Sequence, residues 1–241
     1  MMILGGFLAA AAALIAGTSG FGFGLVATPA LLLSGFSLPF VVTVNLLITL
    51  VTRVSVAWRL RHAVRRRDAA LLIGSAIPGL WIGSRTLGAI DGHTLKLVVG
   101  VTVVLAATAL AWADKRPPRP RAAGLGVVAG FLGGLLGTTT SLIGVPPALL
   151  LARRRLATAT FFADLSIYFV ATAAIGLAVL AAEGHFNESA WRAFVWWLPG
   201  VLIANAIGTS AGLRAPAAVF PRLTLGLAFV AGVVTVLTAY P

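Results

Sequence analysis

Two membrane-length apolar segments of this chain break in the same way, and that duplication restricts the fold more than any other feature. Residues 17–33 read GTSGFGFGLVATPALLL, and residues 134–151 read GLLGTTTSLIGVPPALLL. Each begins as an apolar run, gives way to Gly with Ser or Thr, and ends in Pro-Ala-Leu-Leu-Leu, at Pro29 and Pro147, half a chain apart. Backbone that leaves the helix at membrane depth finds no water to bond. It persists only where protein packs around it or a wet cavity receives it. A break of this kind, made twice, points to a transport site.

The rest of the chain supports a membrane setting. With 59% apolar and 10% charged residues, the composition is not that of a soluble domain. Apolar runs long enough to span a bilayer fall at about 40–58, 70–90, 95–112, 157–182, 192–212 and 223–240, and the longer stretches 2–34 and 122–152 hold the breaks. No soluble domain is expected. The N-terminal stretch has no positive region ahead of its apolar run, so it reads as a first membrane segment rather than a cleaved signal. The absence of Cys excludes disulfides, thiolate metal sites and cysteine nucleophiles. The net charge of +12 does not imply nucleic acid, because the basic residues cluster in loops between apolar runs.

Those loops set a topology. Arg59–Arg67, Lys115–Arg121, Arg153–Arg155 and Arg214–Arg222 are basic, whereas Asp91–Thr94 and Glu183–Ser189 contain no Lys or Arg. The positive-inside rule puts the four basic loops in the cytoplasm. Segment 122–152 then enters and leaves on the cytoplasmic side, as a hairpin with its break at the tip. Segment 2–34 does the same from outside, and both termini lie outside. The expected fold is all-α: a polytopic membrane protein of two inverted repeats, each one broken helical hairpin plus three transmembrane helices. The repeats are 1–112 and 122–241, joined by a cytoplasmic linker at 113–121. Pro78-Gly79 matches Pro199-Gly200, and Lys96-Leu97 with Gly100 matches Arg222-Leu223 with Gly226. Inverted repeats are a transporter architecture with the binding site at the midplane.

The candidate site follows from the breaks. A helix that starts at a break presents unpaired N–H groups and a positive dipole end, and together these attract an anion. Thr18, Ser19 and Gly20 at the first break, and Gly137, Thr138, Thr139, Thr140 and Ser141 at the second, are the expected cradle; the alternative is that they only let helices pack closely. Asn45 and Asp164 occupy matching places within spans. Asp164 could carry a proton or pair with an Arg, and an ionisable group at that depth is a functional candidate by default. Arg53, about one turn from a cytoplasmic end, is expected to snorkel. Arg85, near an outer end, either attracts an anion or holds the halves together. Trp191, Trp196 and Trp197 read as an interfacial belt. The three His form no metal-ligand spacing, and there is no Walker loop or catalytic triad.

At AGTSGFGFGLVATPALL and GFLGGLLGTTTSLIGVPPALLL, with the paired Pro-Gly elements, the chain resembles the TauE/SafE sulfite exporter family over its whole length. The resemblance implies a bacterial inner-membrane permease for small sulfur-containing anions such as sulfite or organosulfonates. The Thr-Thr-Thr-Ser of the second break stands where relatives are often richer in Gly. The expected function is therefore secondary transport of a small anion by alternating access, without enzymatic activity, cofactor or metal. Membrane lipid and the anion are the expected partners, and a homodimer is left open. An anion channel and a membrane-embedded enzyme acting on lipid are the alternatives. The latter would need a cluster of His, Asp or Glu, and the sequence has only scattered ones.

Overall fold

The computed structural model describes residues 1–19, 22–87, 92–115, 123–154, 156–214 and 219–238. Among them the regular structure is helical, with no strand, as the sequence implies. The first segment divides into α1 (Met2–Ser19) and α2 (Phe23–Leu33), followed by α3 (Leu38–Arg59), α4 (Arg66–Leu87) and α5 (Gly92–Lys115). The second divides into α6 (Ala123–Thr139) and α7 (Val145–Ala152), followed by α8 (Thr158–Ala182), α9 (Glu188–Arg214) and α10 (Val219–Leu237). Each expected span is thus one helix. Leu38–Arg59, Thr158–Ala182 and Glu188–Ala211 are each long and apolar enough to cross a membrane.

Local chemistry explains the boundaries. Pro39 at the start of α3 and Pro146 at the start of α7 sit where a missing N–H costs nothing and a fixed φ favours the first turn. Helices α4 and α9 run through Pro78 and Pro199. Large apolar side chains such as Leu105, Trp196, Ile203 and Ile207 are exposed. Such a surface needs an apolar solvent rather than water.

The tightest packing joins α4 to α6 and α1 to α9. Glycine makes both contacts possible. A Cβ on Gly79 or Gly134 would collide with the backbone of Phe131 or Ala76, and one on Gly208 with that of Leu14. Without side chains the backbones meet directly, and many short-range contacts take the place of a hydrophobic driving force that lipid cannot supply. Helix α3 crosses α8 at the centre, α5 packs on α10, and α4 also touches α8 as α3 touches α9.

Candidate functional site

Both breaks are real, and they meet. Between α1 and α2 the chain turns through Gly22, whose φ of 93° is left-handed. Between α6 and α7 it turns through Ser141, the single non-glycine residue with positive φ (64°) among those described. L-residues avoid that region at a cost of about 1–2 kcal/mol, so the surroundings must hold Ser141 there. Helix α7 then folds back on α6, where a Cβ on Gly133 would meet Ile143 and Pro147. Gly24 of the first break lies against the carbonyl oxygen of Ser141 in the second, with no room for a side chain.

A cavity of about 30 Å³ lies at this junction, bounded by Gly22 and Gly24 from one break, Ser141 and Gly144 from the other, and Arg53 and Phe169 from α3 and α8. Arg53 does not snorkel: it is 3% exposed. Its Nη2 donates to the carbonyl of Ala16 in the last turn of α1 at 3.2 Å, and its guanidinium carbon lies 6.0 Å from the Phe169 ring centre. No carboxylate pairs with it among the described residues. A buried cation without an acidic partner is costly in an apolar interior, and a bound anion would repay that cost.

Beside it, Asn45 ties the two breaks to α3. It is 2% exposed, and its Nδ2 donates to Thr28 Oγ1 at 3.0 Å and to Ser141 Oγ at 2.9 Å. A hydroxyl that accepts one bond keeps its own proton to donate. Ser141 lines the cavity, so it has a donor to offer there. Asn45 Oδ1 is buried without a partner among the described residues.

The other expected residues lie differently. Thr18 Oγ1 donates to Ile15 O at 2.6 Å, Thr139 to Leu135 O at 2.7 Å and Thr140 to Leu136 O at 2.9 Å. Their protons are turned back along the helix that precedes each break. Thr138 donates across to Leu80 O in α4 at 2.9 Å, and Gly137 lies against Ile143. Ser19 closes α1; its side chain, like Gly20, lies outside the described residues. The helix starts therefore come later than the Thr residues, at Phe23 and Val145, and the Val145 N–H is already given to Leu142 O at 3.3 Å. In α7 the neighbouring Pro146 and Pro147 have no N–H to give, which shifts the weight from amides to Arg53 and Ser141.

Asp164 is 0% exposed and bound to Arg65, whose backbone N donates to Oδ1 at 2.8 Å and whose Nε donates to Oδ2 at 2.9 Å. Arg65 also pairs with Asp68, which Arg154 contacts in turn at 3.0 Å. This cluster joins the start of α4 to α8 and to the end of α7. A cavity of about 220 Å³ beside Arg67, Leu72 and Arg154 shares no lining residue with the one at the breaks. Arg85 is exposed, stacks 3.9 Å from the Trp81 ring centre and pairs with Glu183 at 3.4 Å. It does not line the cavity at the breaks. Asn205 meets Gly17 where α9 packs on α1, and Trp197 is buried with its Nε1 donating to Met2 O at 2.9 Å, whereas Trp191 and Trp196 are exposed.

The sequence signal for Arg53 was its register. Asn45, Thr49, Thr52 and Arg53 fall on one face of a mostly apolar α3. No group of His, Asp or Glu among the described residues could hold a metal ion. A family model described as sulfite exporter TauE/SafE matches residues 4–235, nearly the whole chain. No curated protein and no solved structure matches.

Proposed function

The chain belongs to the sulfite exporter TauE/SafE family of membrane transporters, and from that premise we propose that it carries a small anion, sulfite or an organosulfonate, across a bacterial inner membrane by alternating access. The observation that carries this reading is Arg53: a buried cation with no carboxylate partner among the described residues, beside a place where both helix breaks touch. Ser141 adds a hydroxyl donor, oriented by Asn45. The breaks add polar backbone that lipid-facing structure cannot tolerate.

An inverted pair of repeats accounts for the packing. If α1–α5 and α6–α10 correspond in order, the α4–α6 contact exchanges with α9–α1, and α4–α8 with α9–α3. The contacts α3–α8 and α5–α10 map onto themselves. That is the pattern a two-fold axis between the halves produces, and on the inverted-repeat reading that axis lies in the membrane plane. The cavity, about 30 Å³, is small for such an anion, so on this reading cargo enters when the break elements separate. The test is flux of radiolabelled sulfite and methanesulfonate in proteoliposomes containing the purified chain. Saturable uptake without single-channel current is the expected result. Absence of flux for any small anion would overturn the reading.

A further inference from the structure

The Arg53 site goes further than a preference for anions, because it holds a single formal charge. Among the described residues lining the cavity, Arg53 is the one charged side chain; Thr49 and Ser141 are neutral, and Phe23, Leu142, Val145 and Phe169 are apolar. The helix ends do not add to that charge. Each break joins the C-terminal end of one helix to the N-terminal end of the next, so partial charges of opposite sign meet at the same place. Arg53 itself caps the carbonyl of Ala16 at one of those C-terminal ends.

Nor do the packed neighbours bring a second charge to the cavity: α9, which also packs on α3, carries Glu188, Arg192 and Arg214, and none of them lines it. Helices α1, α2, α6 and α7 contain no titratable side chain. From α8 come Tyr168, which donates to Ile143 O at 3.3 Å, and Asp164, already paired with Arg65. In a low-dielectric cavity a charge left over after pairing is expensive, so the occupant should neutralise Arg53 one for one.

Resting on the transport reading above, we propose that the cargo is a monoanion with an apolar end or face, carried singly, and that dianions are rejected. For sulfite this selects the singly protonated form. The hydrogen of that form would also meet an unused acceptor if it reached the buried, unpartnered Oδ1 of Asn45. Alkanesulfonates meet the charge requirement at every working pH. Sulfate and unprotonated sulfite do not.

The experiment measures binding to the purified wild-type chain in detergent at fixed ionic strength, with methanesulfonate, sulfate and sulfite as probes. Methanesulfonate should bind at least tenfold tighter than sulfate. The apparent affinity for sulfite should fall about tenfold per pH unit once the solution pH passes its second ionisation, while that for methanesulfonate stays level. Sulfate binding as tightly as methanesulfonate, or sulfite affinity that is flat or rises with pH, would overturn the monoanion rule and leave the transport reading standing. If none of the three anions binds at any pH, the transport reading itself fails. Arg53→Gln should abolish the difference between methanesulfonate and sulfate. If that variant does not fold, the wild-type comparison still decides.

Discussion

Arg53→Met should lose anion binding by about ten- to a hundredfold and yet unfold no earlier than the wild type. Two effects of opposite sign meet at this residue. In the empty protein the guanidinium is 3% exposed, has one backbone partner and lies beside an aromatic ring. Exchanging such a buried charge for an apolar side chain of similar length is often neutral or stabilising, by about 1–4 kcal/mol. In the loaded protein the same group would supply the charge opposite the ligand. Losing a charged hydrogen-bond partner costs about 1.5–3 kcal/mol, and each 1.4 kcal/mol is tenfold in affinity. Thermal unfolding and ligand titration on one sample separate the two. A large fall in melting temperature with affinity unchanged would show that Arg53 is a structural residue and that the anion binds elsewhere.

Asp164→Ala should do the reverse, costing about 3 kcal/mol of stability while the folded protein still binds anion. Removing one member of a buried ion pair strands the other, at about 3–5 kcal/mol. The lower end applies because Arg65 is 28% exposed on its side chain and can turn partly to solvent. Asp164 also accepts from the backbone N of Arg65, so its loss frees the turn into α4 as well as the guanidinium. The double variant Asp164→Leu with Arg65→Leu should recover part of the loss, since it leaves no charge unpaired. The measurement is a double-mutant cycle by thermal unfolding. If Asp164→Asn folds as well as the wild type but transport loses its dependence on a proton gradient, the residue is a proton carrier instead of a staple.

How far the sequence revealed this protein depends on the kind of constraint. The breaks and the helix positions were legible because membrane thickness forces apolar runs of a set length, and because Pro and Gly disturb them visibly. Helices α3 and α8 begin and end within about two residues of the runs at 40–58 and 157–182. The site was legible only in outline. Thr138, Thr139 and Thr140 looked like donors at a helix start. A Thr hydroxyl can also bond a carbonyl three or four residues back, as happens here, and so belongs to the end of the helix before the break. Arg53 was misread for a related reason. An Arg one turn from a helix end looks free to reach water, and nothing in α3 alone shows that a carbonyl of α1 accepts a hydrogen bond from it or that α8 brings Phe169 over it. That information lies in tertiary packing, which a span-by-span reading does not contain.

The glycine contacts of α4 with α6 and of α1 with α9 have a mechanical consequence. Each pair takes one helix from α1–α5 and one from α6–α10, so the tightest packing runs between the halves and not within them. Neither half, made alone, keeps the partner helix of its most closely packed pair. Two polypeptides cut at 116–122 should therefore be insoluble or degraded when made singly and co-purify as a working carrier when made together; a fragment that is stable and monomeric alone would show that the contacts are dispensable.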